Sequence, residues 1–101
     1  YLNNAQYIPK NYHSAHALFS VTLGHNHKRE EMIGRLHERK IPTVVYYKYP
    51  IHLMAGFKYL GYMHGDFPVS EHLSSTIVSL PMHPYLNHDD IDIIIKTLID
   101  K

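Results

Sequence analysis

The stretch "GDFPVSEHLSSTIVSLP", residues 65–81, decides how this chain folds. Its start suits a helix. Asp66 can accept hydrogen bonds from the N–H groups of a first turn, and Pro68 is tolerated in that turn because its missing donor would go unpaired anyway. Val69, Leu73, Ile77 and Leu80 then recur as one apolar stripe, which predicts a helix through the segment. "SLPM" (79–82) is expected to finish in a short extended piece.

Working outward, Asn87 and Asp90 have the spacing of a capping box. Beyond them Ile91, Ile94, Ile95, Leu98 and Ile99 follow i, i+3, i+4, i+7, i+8, the clearest helical pattern in the chain. On the other side, "MAGFKYLGY" (54–62) has room for one or two helical turns ended by Gly61. "TVVYY" (43–47) is β-branched and aromatic and predicts a strand. A helix is expected before it. Asn26 can cap that helix, Glu30 and Glu31 sit in its early turns, and Met32, Ile33 and Leu36 form its inward stripe. Arg39 and Lys40 suit its C-terminal end, and Pro42 blocks its continuation. "HALFSVTL" (16–23) alternates Phe19, Val21 and Leu23 against Ser20 and Thr22, the pattern of a half-buried strand. Residues 1–15 show no period, so we take 1–13 as an extended lead-in and 14–101 as the domain.

The expected order is strand, helix, strand, short helix, helix, helix. That is a small α+β layer with helices covering one face of a short sheet. Two strands make a weak sheet alone, so a third is expected from residues 1–12, from "SLPM" or from another chain.

Composition narrows the function. A chain of 101 residues with 45% apolar content supports one domain with a real core. Its net charge is +1, and Lys and Arg are scattered except at Lys28-Arg29 and Arg39-Lys40, which leaves no footprint for nucleic acid or an anionic membrane. Cysteine is absent, so neither disulfides nor a Cys-based zinc site can form. No apolar run approaches the ~20 residues needed to span a bilayer, and no leader pattern opens the chain. A cytoplasmic setting is expected.

Among ten histidines, His25-x-His27 and His13-x-x-His16 have ligand-like spacing. No HExxH is present and the rest are spread along the chain, so no metal site is expected. GxSxG, GxGxxG and the P-loop pattern are all missing. The paired carboxylates Glu30-Glu31 and Asp89-Asp90 sit at helix starts, where dipole and capping account for them. No catalytic residue is assigned.

One further stretch carries binding chemistry. "YYKYPIHL" (46–53) offers the flat faces and hydroxyls of Tyr46, Tyr47 and Tyr49, the donor and acceptor of His52, and the charge of Lys48. It reads either as a strand end with tyrosines lying on the surface or as the rim of a binding site.

These motifs form a series. Tyr46-Tyr47, then Tyr49-Pro50-Ile51-His52-Leu53, Leu60-Gly61-Tyr62, Gly65 to Glu71, and Leu80-Pro81-Met82-His83-Pro84 closely resemble, in order and spacing, the C-terminal part of the DegT/DnrJ/StrS sugar aminotransferases. His16-Ala17-Leu18-Phe19 resembles the family's His-Leu-Tyr strand, and the likeness runs over residues 14–99. Two departures stand out. Lys48 occupies a position where proline is usual, and Met54-Ala55-Gly56 replaces a usual Gln-Pro-Ala, so the turn is less rigid than the family's.

The resemblance implies the C-terminal small domain of a fold-type I pyridoxal-phosphate aminotransferase, a small antiparallel sheet with helices packed on one face. It implies a full-length protein that moves an amino group from glutamate to a keto-sugar nucleotide, as a homodimer, with neither nucleic acid nor membrane as partner. The cofactor lysine, the acid facing the pyridinium nitrogen and the phosphate cradle belong to the family's large domain. None of the seven lysines here matches the cofactor lysine. Pyridoxal phosphate is therefore expected in a full-length member and not in this chain, which is expected to be inactive alone. Tyr46, Tyr47 and His52 are the candidate substrate-binding residues, as orienting and hydrogen-bonding groups. A stand-alone oligomerisation or interaction module without catalysis is the alternative.

Overall fold

The computed structural model describes residues 5–24 and 26–99, without the side chains of Asn26 and His27. The expected Asn26 side-chain cap and the His25-x-His27 pair thus lie outside the described residues. The elements are β1 (Phe19–Thr22), α1 (Asn26–Glu38), two short 3-10 helices (Ile51–Leu53 and Ala55–Leu60), α2 (Pro68–Thr76), β2 (Ile77–Leu80) and α3 (His88–Ile99).

The deciding stretch divides in two. The predicted helix stops at Thr76, and Ile77–Leu80 is a strand. The apolar stripe had joined residues from two structures. Ser74, Ser75 and Thr76 turn their hydroxyls back onto the carbonyls of Glu71 and His72, at 2.8–2.9 Å, which competes with helix continuation. Ile77 is already extended, at φ −77° and ψ 142°, and a β-branched run follows. The expected Asp66 cap is also replaced. Phe67 is the N-cap residue, with no side-chain capping bond, and Pro68 opens the helix. The Asp66 carboxylate instead accepts the Met63 N–H at 2.7 Å, closing the preceding turn.

β1 and β2 pair antiparallel, Phe19 opposite Leu80 and Thr22 opposite Ile77. Phe19, Val21, Val78 and Leu80 therefore share one face, and Ser20, Thr22, Ile77 and Ser79 the other. On the second face Ser20 and Ser79 bond hydroxyl to hydroxyl at 2.8 Å. Each edge gains one bridge, Ala5 beside Val21 and Val44 beside Ser79.

The expected strand 43–47 contracts to that single Val44–Ser79 pair, whose two bonds measure 2.8 and 3.1 Å. In this register the next hydrogen-bonded pair on one side would join Pro42 to Pro81, and neither has an N–H. On the other side it would use Ile77, whose N–H is given to Leu73 O to close α2.

The core is built from Val21, Leu36, Ile41, Val78, Leu80 and Ile94, with Leu36 and Val78 fully buried. Leu36 is the inward residue of the predicted α1 stripe, flanked by half-buried Met32 and Ile33. Burying such a side chain contributes about 1.5–3 kcal/mol. α1 ends in a Schellman turn. The Ile41 N–H reaches Leu36 O and the Lys40 N–H reaches His37 O, both at 2.9 Å, with Lys40 left-handed at φ 59°.

Arg29, buried at the other end of α1, donates to Ser74 O at 2.6 Å and so caps the last turn of α2. The Asn87–Asp90 box forms as predicted: Asp90 N–H donates to Asn87 Oδ1 at 2.8 Å, and Asn87 N–H to Asp90 Oδ2 at 3.4 Å. Arg39 donates to Thr97 Oγ1 at 3.2 Å, tying α1 to α3.

Candidate functional site

Between the sheet edge and α2 the chain makes a long excursion, residues 46–67. Past Val44 the backbone leaves the sheet and bends at Tyr46 and again at Tyr49. Tyr47, Tyr49 and Ile51 face α2 and form one wall of a groove, while Tyr46 and Lys48 are not part of it. Phe67, Val69 and Leu73 form the opposite wall, and Ile77 lies at its base. The groove encloses about 760 Å³, within the ~300–1,000 Å³ common for small-molecule sites.

Glu71 fixes the shape of that excursion. Its Oε1 accepts the Gly65 N–H at 2.8 Å and the His52 Nε2–H at 2.9 Å, and its Oε2 lies 3.1 Å from His64 Nε2. One carboxylate thus joins the first 3-10 helix, the turn before α2 and α2 itself. Gly65 stands at φ 97°, a conformation that favours glycine and points its N–H at the carboxylate. Desolvation pushes the Glu71 carboxyl upward. The Gly65 N–H outweighs it together with His52, the charge of His64 and the Phe67 N–H, and the net result lies below the ordinary carboxylate value. His52 is buried beneath Phe67, with ring centroids 4.8 Å apart. Phe67 in turn meets Tyr62 edge-to-face at 4.9 Å.

The three candidate residues therefore occupy different places. Tyr47, exposed, lines the groove beside Tyr49. Tyr46, also exposed, does not. His52 sits behind the wall with its Nε2 committed to Glu71. The histidine braces the wall that carries the tyrosines. Sequence reasoning missed Glu71, His64 and Phe67 as parts of one unit. Glu71 ends the Gly65–Glu71 motif, but a single carboxylate in the first turn of a helix reads as a dipole partner. Only the folded turn shows what it holds.

The groove does not fit pyridoxal phosphate. Among the described residues every lysine is exposed and none lines the groove. Its single carboxylate, Asp66, is bonded to the Met63 N–H. Neither an imine-forming amine nor an acid poised for a pyridinium nitrogen is present there. No group of three or more His, Asp or Glu among the described residues could hold a metal ion. No helix among them is long and apolar enough to cross a membrane.

Comparison with known proteins bears on the whole arrangement. The chain is 39% identical over 82 residues to dTDP-3-amino-3,4,6-trideoxy-alpha-D-glucose transaminase of Micromonospora megalomicea subsp. nigra, covering 80% of this chain and 22% of that protein. It is 32% identical over 83 residues to UDP-N-acetyl-3-dehydro-alpha-D-glucosamine 3-aminotransferase of Acidithiobacillus ferrooxidans, covering 82% and 21%. The fold superposes on the crystal structure of a DegT DnrJ EryC1 StrS aminotransferase from Brucella abortus with TM-score 0.80 and 37% identity, over 95% of this chain and 26% of that one. The chain spans about a fifth of the length of the curated relatives it matches. The sequence pattern of the family covers residues 2–99. The small α+β layer, its motif series and these likenesses agree: the chain belongs to the DegT/DnrJ/EryC1/StrS aminotransferase family.

Proposed function

We propose that residues 14–101 are the C-terminal small domain of a pyridoxal-phosphate-dependent nucleotide-sugar aminotransferase, with 1–13 as its lead-in. In the whole protein, a cytoplasmic homodimer, glutamate gives its amino group to a keto-sugar nucleotide. The relatives named above are a dTDP-sugar and a UDP-sugar enzyme, which supports a pyrimidine nucleotide on the substrate. When bound in the whole protein the cofactor supplies the electron sink and carries the amino group. This chain binds and orients substrate, through Tyr47 at the groove and through Tyr46 and His52 beside and behind it, and is inert by itself.

The observation that carries this reading is the braced groove. A buried His52, bonded to half-buried Glu71, holds two exposed tyrosines opposite α2, in a segment whose motifs match an aminotransferase family. Substrate contacts of this kind position a reactant without moving its protons. The test is amino transfer from glutamate to dTDP- and UDP-linked keto-sugars by the product of the full reading frame containing these residues. Formation of the amino sugar, lost when residues 1–101 are assayed alone, is expected. No transfer to either nucleotide sugar, or transfer by residues 1–101 alone, would sink the reading.

A further inference from the structure

We infer that the groove between Tyr47, Tyr49 and α2 receives the nucleobase of the substrate, and neither its diphosphate nor the carboxylate of an amino donor. The inference deepens the proposed function and rests on it for the choice of a nucleotide ligand.

Charge gives the first argument. A diphosphate or carboxylate site needs cations or converging donors. No lysine or arginine lines this groove, and the one ionisable acid on its wall, Asp66, is repulsive to an anion. Tyr47, Tyr49 and Ile51 point inward, and Lys48 between them is not among the lining residues.

Shape and chemistry give the second. Two exposed tyrosine rings face an apolar wall of Val69 and Leu73, above Ile77. Planar uncharged rings stack on such surfaces, while the tyrosine hydroxyls and Ser70 remain for edge contacts. Phe67 is held between His52 and Tyr62, so its side of the groove is preset and does not need ordering on binding.

The test is an NMR titration of the chain, with ring-labelled tyrosine, against uridine and separately against inorganic diphosphate. Uridine should saturably shift Tyr47 and Tyr49 and leave Tyr85 in place, and diphosphate should shift none of them. Tyr47→Ala and Tyr49→Ala should each weaken uridine binding at least ~5-fold, the low end of what loss of one stacking ring costs. Both residues are exposed, so these variants spare the core, and Tyr85→Ala, exposed and outside the groove, serves as the unaffected comparison. Absence of a uridine shift, an equal shift at Tyr85, or a diphosphate shift at Tyr47 and Tyr49 overturns the inference. Uridine binding without amino transfer in the full-length assay leaves this site standing and sinks the proposed function. Transfer without uridine binding does the reverse.

Discussion

Replacing Lys40 by glycine should stabilise the chain. Lys40 closes α1 from the left-handed region, at φ 59°, where an L side chain crowds the backbone. The left-handed conformation costs about 1–2 kcal/mol for a residue with a Cβ. Glycine removes that cost but gives the unfolded chain more freedom, about 0.5–1 kcal/mol. The difference favours Lys40→Gly by about 0.5–1 kcal/mol. Lys40 is exposed, so little packing is lost, and the hydrogen bonds of the turn are all backbone. For a domain of this size 1 kcal/mol corresponds to about 4–8 °C in Tm. Thermal unfolding followed by circular dichroism should therefore show a rise of about 2–8 °C for Lys40→Gly. Lys40→Ala keeps its Cβ and should stay near the parent. A Tm for Lys40→Gly at or below that of Lys40→Ala would refute the reasoning, because it would mean the closing turn is not strained at this residue.

Three other outcomes follow from the same structure. Leu36→Ala empties a fully buried site shared by the core and the closing turn, and should cost about 2–5 kcal/mol in urea unfolding. Asn87→Ala removes the side-chain half of the α3 capping box, and should cost about 1 kcal/mol by the same measurement. Glu71 titrates near 4.5 in an unfolded chain and lower when folded, so between those values the unfolded state holds more protons. Its stabilising contribution is full above the unfolded value and fades as pH falls through the folded one. Urea midpoints of the parent should thus drop below about pH 4.5, and Glu71→Gln should flatten that drop while lowering the midpoint at pH 7.

How much of this could be read from the chain depended on whether a signal was local. The Asn87–Asp90 box and the inward Leu36 were legible because each is set by spacing within one helix. Tyr47 could be named as a rim residue from its neighbourhood, but only the folded groove separates it from Tyr46. The end of α2 was illegible for a specific reason. Val69, Leu73, Ile77 and Leu80 satisfy the helical period, and the serine and threonine hydroxyls that stop the helix carry no periodic signature. The limit on the third strand was hidden as well, because it needs the register that sets Pro42 against Pro81. Glu71 was the hardest to read, since its partners at positions 52, 64 and 65 meet only once the excursion has folded.

The direct passage from α2 into β2 locks two periodicities in phase. Thr76 ends the helix and Ile77 begins the strand, with no residue between to absorb a change of length. One residue inserted there would advance the strand by half its repeat, turning Val78 and Leu80 to the face of Ser20 and Ser79 into the core. The excursion before α2 has no such constraint, since it is built of turns and two 3-10 helices outside the sheet. Length variation among related chains should therefore gather between residues 54 and 62, outside the groove's lining, and be absent at 76–77, where the core's phase is fixed.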